Sequence, residues 1–386
     1  MSYDFCYYNP VKIYFGEEQL VNLPIEIEKY GENLLLVYGG GSVKRTGIYS
    51  EIMQYLSKFK VWELNSVLPN PDVESVRQGV DICKENEINV VLAVGGGSVI
   101  DASKWIAVSA CVEHDPWDFF CKKTIIDKAL PLVTVVTMAS TGSEMNNGGI
   151  LSSRELVKKI GRSSPMMYPK ASFLNPRYTY SVDSYQTASG IVDIISHIIE
   201  VYFSQQENIQ FLIGIMESMV RTIIKYGKLV LKEPDNYEAR SNLLLAASWA
   251  INGFINGSVK QRWNCHTIEH ELSARYGITH GHGMAILLPK WLKYCYTNEN
   301  KDIYYLCAKN MFSIECSDKA DVLCKLVKAM EELFYCDFRL NSRLREFGVS
   351  FNDISEIAEC ICATGPIKGF TELDVEDIQT ILQMCF

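Results

Sequence analysis

Residues 89–110 read NVVLAVGGGSVIDASKWIAVSA, and their order decides the fold. NVVLAV is short, nearly all apolar and rich in valine, so it reads as a strand covered on both faces. Gly95-Gly96-Gly97-Ser98 then turns the chain into a helix. The same succession occurs earlier, where LLLVY (34–38) runs into GGGSV and the helical pattern KRTGIYSEIMQYLSK. VWEL (61–64) leads through the turn Pro69-Asn70-Pro71 to DVESVRQGVDICKENE, an amphipathic helix, and LPLVTVVTM (130–138) is a further apolar strand. Strands alternating with helices predict βαβ units around a parallel sheet. From about Ser184 the character changes. SYQTASGIVDIISHIIEVYFS, RSNLLLAASWAINGF and DKADVLCKLVKAMEELF carry apolar residues at helical spacing. At 386 residues the chain is long for one core. The expected architecture is an α/β N-terminal domain with a parallel sheet over 1–183 and an all-α C-terminal domain over 184–386.

Composition narrows the class. Hydrophobic content of 48% and charged content of 22% are those of a soluble globular protein. A net charge of −9 argues against nonspecific nucleic-acid or anionic-membrane binding, which need basic patches. No apolar run approaches the ~18–20 residues that span a bilayer. The start, MSYDFCYYNP, has neither a basic nor an apolar region of a secretory signal. The thirteen cysteines are scattered, and Cys360 and Cys362 form CxC rather than CxxC. They read as reduced cysteines of a cytoplasmic protein, mostly small apolar fillers.

The glycine loops are candidate ligand sites. A helix N-terminus offers free N–H groups, and glycines let a backbone approach a pyrophosphate. GGGS by itself is equally the sequence of a tight strand-to-helix turn; its placement strengthens the binding reading. The first loop, YGGGSVKR, lacks the carboxylate that NAD-specific folds tend to place on the ribose 2′-hydroxyl. Ser42 can donate to a 2′-phosphate there, and Lys44 or Arg45 can offset its charge, although surface bases at a helix start need no function.

Histidine is concentrated. Four of the six lie in WNCHTIEHELSARYGITHGHG (263–283): His266, His270, His280 and His282. Such a cluster points to a metal or proton-transfer site, or to a polar helix face and loop. In GIVDIISHIIE (190–200), Asp193 and His197 stand at i and i+4, with Ser196 and Glu200 extending a polar stripe on an apolar helix. Alone, the stripe reads as a solvent face, since Asp is seldom buried without a partner. The histidine-rich stretch supplies a second source of ligands and favours a buried set. HTIEH (266–270) also matches the HxxEH pattern of inverted zinc peptidases.

Taken in order, GGGSVIDASK, TGSEMN, SGIVDIISHIIE, NCHTIEHELSARYGITHG and GMAILLP resemble the iron-containing (group III) alcohol dehydrogenase family. Within it, the likeness is to the butanol-dehydrogenase-like, NADPH-using branch, and it runs from about residue 5 to near the C-terminus. The resemblance implies an N-terminal dinucleotide-binding domain and a C-terminal helical domain with the site between them. It implies metal ligands at Asp193, His197, His266 and His280, and a non-ligand active-site histidine at His270. His282, two residues beyond a ligand, is expected behind the ligands or exposed. The implied cofactor contacts are Gly39, Gly40 and Ser42 at the adenosine end, then Asn70, then Gly96, Gly97, Ser98 and Asp101 around the phosphates. Thr137, Met138 and Thr141 follow from a strand end, with Lys159 and Tyr178 toward the nicotinamide. Three positions depart from the family: Asn175-Pro176 for Asp-Pro, Asp183 for Pro and Gly277 for Asp. None removes a ligand, but Gly277 is expected to loosen the ligand loop.

The implied reaction is R–CHO + NADPH + H⁺ ⇌ R–CH₂OH + NADP⁺, with one divalent ion, Fe²⁺ or Zn²⁺, as Lewis acid. NADP(H) is the expected cofactor, His270 the candidate proton relay, and a cytoplasmic homodimer acting on a small alcohol or aldehyde the expected state. An HxxEH metallopeptidase and a non-catalytic nucleotide-binding relative are the alternatives.

Overall fold

The computed structural model describes residues 5–122, 124–204, 209–256, 263–315 and 321–386. The chain forms two compact units. One comprises Tyr8–Val182 with Ala247–Asn252; the other comprises Asp183–Ala246 and Gly253–Phe386, with the chain before Tyr8. The first unit holds eight strands: β1 Lys12–Phe15, β2 Asn33–Gly39, β3 Lys60–Val67, β4 Val90–Gly95, β5 Leu132–Val136, β6 Gly148–Ser153, β7 Lys158–Ser163 and β8 Ala171–Leu174. Six of them make one sheet in the order β1-β8-β5-β4-β2-β3, with every pair parallel. β4, β5 and β8 are buried along their whole length, as a sheet covered on both faces requires. β6 and β7 form a separate antiparallel hairpin.

Three helices of eight residues or more follow the predicted βα pattern: α1 Ile48–Tyr55, α2 Val73–Glu85 and α3 Gly97–Ser109. The helix expected over KRTGIYSEIMQYLSK is divided. Gly47 takes φ 83°, so a short turn at Ser42–Arg45 ends before α1 begins. α2 starts on Asp72, whose carboxylate accepts from the Glu74 N–H at 3.0 Å. α3 is buried on every side from Val99 to Ser109, including Asp101 and Lys104.

Those two buried charges tie α3 to the segment after β5. Lys104 Nζ donates to Ser143 Oγ at 2.9 Å, Asn146 Oδ1 at 2.8 Å and the Gly148 carbonyl at 2.6 Å. Asp101 accepts from Ser143 Oγ at 2.5 Å and from the Ile150 N–H at 3.0 Å. Burial lowers the Lys104 ammonium to about 8 and raises the Asp101 and Glu144 carboxyls. Glu144 in turn accepts from the Ser248 hydroxyl, and Asn9 Nδ2 donates to the Asn252 carbonyl at 3.1 Å. These bonds explain why Ala247–Asn252 groups with the α/β unit and not with the helices on either side of it.

Among its described residues the second unit holds no strand, only helices joined by irregular segments: α4 Ser184–Phe203, α5 Gln210–Val230, α6 Tyr237–Ala250 (whose last turn groups with the first unit), α7 Asn264–Tyr276, α8 His280–Cys295, α9 Lys301–Phe312, α10 Val322–Glu331, α11 Ile354–Ile361 and α12 Val375–Met384. The predicted stretch DKADVLCKLVKAMEELF becomes α10 and a π-helical turn, while its residues 318–320 lie outside the described ones. α4 is buried from Thr187 to Phe203. Two of the family departures act locally as caps. Asp183 accepts from the Gln186 N–H at 2.8 Å and starts α4, and Asn175 accepts from the Arg177 N–H at 3.1 Å.

Candidate functional site

Because the sheet is parallel, the carboxyl ends of its strands share one edge. Gly39–Ser42 follow β2, Asn70 follows β3, Gly95–Ser98 close β4 and open α3, and Thr137–Thr141 follow β5. From β2 the chain moves outward to β3; from β4 it moves the other way, to β5. The two glycine loops therefore flank the point where strand order reverses, which is where open α/β sheets bind ligands. The second loop is held tightly. Thr137 N–H donates to the Gly95 carbonyl at 3.1 Å, and a Cβ at Gly97 would stand 2.6 Å from Thr141 Cγ2. A Cβ at Gly96 would stand 3.3 Å from that of Met138. Gly96, Gly97, Ser98, Thr137, Met138 and Thr141 are thus one cluster. In the first loop, Gly40 and Ser42 are exposed and Gly39 ends β2. Asn70 takes a left-handed φ of 56°.

Three expected contacts fall differently. Asp101 is buried, with its oxygens accepting from the Ser143 hydroxyl and the Ile150 N–H. Tyr178 belongs to the hydrophobic core with Tyr38, Val43, Ile48 and Ile52, near Glu51 of α1. Lys159 sits half-buried on β7 opposite Ser152, where its charge reaches Asp101. Lys104 escaped the sequence reading; its signal was a lone lysine inside the apolar run of α3.

In the helical unit, the polar stripe of α4 is buried and is not a solvent face: Asp193 is 0%, His197 4% and Glu200 2% exposed. His197 Nε2 lies 3.7 Å and His280 Nε2 3.6 Å from Asp193 Oδ1. The His197 and His266 rings stack at 4.7 Å, and the His266 and His280 rings lie 5.1 Å apart. Donor atoms of Asp193, His266 and His280 all lie within 4.8 Å of one another. Glycine at 281 makes this convergence possible. A Cβ there would stand 2.6 Å from the Ser189 carbonyl carbon and 3.2 Å from Asp193 Cβ, so α8 crosses α4 at closest approach beside His280.

The donor set fits a divalent cation. His266 Nε2 is buried with no hydrogen-bond partner among the described residues. Burial holds the His197 imidazole down at about 4, with His266 adding to the effect and Asp193 opposing it. It is therefore neutral, as a ligand must be. Three buried carboxylates, Asp193, Glu200 and Glu269, concentrate negative charge that a cation offsets.

His270, one turn after His266 on α7, is half-buried with its ring 5.5 Å from that of His280. The structure thus groups His266 with His280 and Asp193, and places His270 beside them with Glu269. His282 is neither exposed nor turned to this cluster. It is 2% exposed, donates from Nε2 to the Asn341 carbonyl at 3.0 Å and accepts at Nδ1 from the Tyr185 hydroxyl at 3.1 Å. Both nitrogens are satisfied, so it is a neutral core histidine, and burial lowers its pKa. Gly277, where the family has Asp, closes α7 as its C-cap in the left-handed conformation at φ 67°.

Residues 10–176 match the iron-containing alcohol dehydrogenase family, and residues 187–386 match the C-terminal region of the Fe-containing alcohol dehydrogenase family. The chain belongs to this family. It is 41% identical over 370 residues to NADH-dependent butanol dehydrogenase B of Clostridium acetobutylicum, covering 95% of each chain. It is 35% identical over 289 residues to the NADPH-dependent aldehyde reductase YqhD of Escherichia coli, covering 74% of each. The crystal structure of NADH-dependent butanol dehydrogenase A from Thermotoga maritima superimposes with a TM-score of 0.94 at 34% identity, over 99% of this chain and 98% of that one. Membership leaves the peptidase alternative without support. Among the described residues, no helix is long and apolar enough to cross a membrane.

Proposed function

We infer that the chain is a metal-dependent, NADP(H)-using alcohol dehydrogenase and aldehyde reductase acting on small primary alcohols or aldehydes. The observation that carries the reading is the buried convergence of His197, His266 and His280 on Asp193. Asp193, His197, His266 and His280 would hold the ion, and the loops flanking the β2/β4 switch point would hold the dinucleotide. A bound divalent ion, Fe²⁺ or Zn²⁺, supplies Lewis acidity toward the carbonyl oxygen, and a bound nicotinamide supplies the hydride. The chain's own residues supply placement. Neutral imidazoles present lone pairs, Gly96, Gly97 and Ser98 present backbone N–H groups at the start of α3, and His270 moves a proton at a ring nitrogen. The names of the relatives, butanol dehydrogenase and aldehyde reductase, support a small primary alcohol or aldehyde. A cytoplasmic homodimer belongs to the same reading.

The preference for NADPH rests on the first glycine loop. A carboxylate on the neighbouring strand, Glu63 of β3, already accepts from the Tyr38 hydroxyl, from the Tyr49 hydroxyl at 2.6 Å and from Lys44 Nζ at 3.4 Å. Those three donors compete with a ribose hydroxyl for it. Exposed Ser42 and Arg45 stand beside Gly39 and Gly40. Gly39→Asp should lower kcat/KM for NADPH about 10–100-fold more than for NADH, since a carboxylate near a 2′-phosphate costs roughly 1–3 kcal/mol. A Cβ at Gly39 would stand 3.1 Å from the Val67 carbonyl oxygen, so Gly39→Ala is the control that separates crowding from charge. A wild type that prefers NADH in kcat/KM overturns this part of the reading.

A further inference from the structure

Resting on the metal reading above, we propose that Glu200 and Glu269 are positioning residues of the metal centre: each holds the Nδ1–H of one ligand histidine and so turns its Nε2 toward the ion. Glu200, in the last turn of α4, is 2% exposed. Its Oε1 accepts from the Cys265 N–H at 2.8 Å; its Oε2 accepts from the His266 N–H at 3.2 Å and from His266 Nδ1. α7 begins at Asn264, so these are first-turn N–H groups with no partner inside the helix. One carboxylate therefore caps α7 and fixes the ring of His266. A carboxylate only accepts, so Nδ1 carries the proton and the lone pair lies on Nε2, the atom left without a hydrogen-bond partner among the described residues.

Glu269 repeats the arrangement one helix further on. It is 0% exposed and accepts from His280 Nδ1 and from the Ser273 hydroxyl, while His280 Nε2 faces Asp193. A Cβ at Gly283 would stand 2.7 Å from Glu269 Cγ, so the absence of a side chain there lets α8 close over this carboxylate. The clamps run in series: α4 orients the histidine of α7, and α7 orients the histidine of α8. His197 has no such clamp, since its Nδ1 has no hydrogen-bond partner among the described residues. Carboxylates placed behind ligand imidazoles fix the tautomer and raise ligand basicity.

Glu269, His270 and His280 also lie close enough to hold an ion among themselves. In that arrangement Glu269 is a ligand and not a clamp, and the test separates the two. Wild type, Glu269→Gln, Glu200→Gln and Asp193→Ala are stripped of metal, and Zn²⁺ and Co²⁺ affinity is measured against a chromogenic chelator. Stoichiometry, the Co²⁺ visible spectrum and the melting of the apoprotein are recorded alongside. Glutamine keeps the size and one acceptor oxygen but not the charge. The expected result is one ion per wild-type chain, none in Asp193→Ala, and affinity weakened about 10–100-fold in each glutamine variant. The Co²⁺ bands should shift while apo Glu269→Gln melts with the wild type. Glu200→Gln also loses part of the α7 cap; if it fails to fold, Glu269→Gln carries the test. Glu269→Gln binding within about threefold of wild type, while Asp193→Ala binds nothing, removes the clamps and leaves the metal site. Two ions per wild-type chain, one of them lost in Glu269→Gln, makes Glu269 a ligand and overturns the proposal. A wild type that binds no ion, or Asp193→Ala binding as well as wild type, removes the metal reading and the clamps with it.

Discussion

Replacing His266 or His280 by alanine should remove the bound ion and, with it, turnover. The two rings lie 5.1 Å apart, and their donor atoms fall within 4.8 Å of each other and of Asp193. Each substitution also strips a partner from a buried carboxylate, Glu200 in one case and Glu269 in the other. A charged group left short of a buried hydrogen bond costs about 1–3 kcal/mol, so both apoproteins should melt below the wild type. Metal analysis of the purified variants checks the expectation: content should fall to background in both. Full occupancy in both variants ends the assignment of these ligands.

His270→Ala should behave oppositely, keeping metal and NADPH while losing about 10²–10⁴ in rate, the usual cost of a well-placed acid–base group. Two arguments about this residue conflict. Spacing places His270 one turn after His266 on α7, suited to a shared ion. The fold instead brings His280, fourteen residues after His266 in sequence, to Asp193 at 3.6 Å, and leaves the His270 ring 5.5 Å from that of His280. The reading therefore gives His270 proton transfer or substrate placement. Metal content, NADPH titration by fluorescence and steady-state rate, measured on one variant, decide between them. If His270→Ala loses its metal while His280→Ala keeps it, the spacing argument was right, His266 and His270 share the ion, and the HxxEH alternative reopens.

The βα units were legible because each rests on a local signal, an apolar valine-rich run ending in glycines. β1 and β8 were not: KIYF and ASFL are four residues each, and only their pairing with neighbouring strands makes them part of a sheet. The hairpin strand KKIGRS carries no alternation that marks a buried face. Burial of the α4 stripe was undecidable locally, because its polar residues are satisfied by α7 and α8. Glu200 reaches a histidine 66 positions away, and Glu269 one that is 11 away. Spacing within a helix cannot announce either pairing. His282 shows the reverse case: two residues beyond His280, it was expected behind the ligands or exposed, yet Tyr185 and Asn341 satisfy it as a core side chain. Asp101 and Tyr178 were placed by resemblance on the cofactor; their burial in the α/β unit, through Ser143 and Ile150 in one case and the core of the sheet in the other, had no local signal.

The measurement that tests the central claim most directly is NADPH oxidation against a panel of short primary aldehydes, run on metal-stripped protein and on the same protein reconstituted with Fe²⁺ or Zn²⁺. The account predicts aldehyde-dependent oxidation that disappears on stripping, returns with the ion, and stays absent in Asp193→Ala under the same reconstitution. Undiminished oxidation by the stripped protein, or none with any aldehyde by a reconstituted protein that carries its ion, would contradict it.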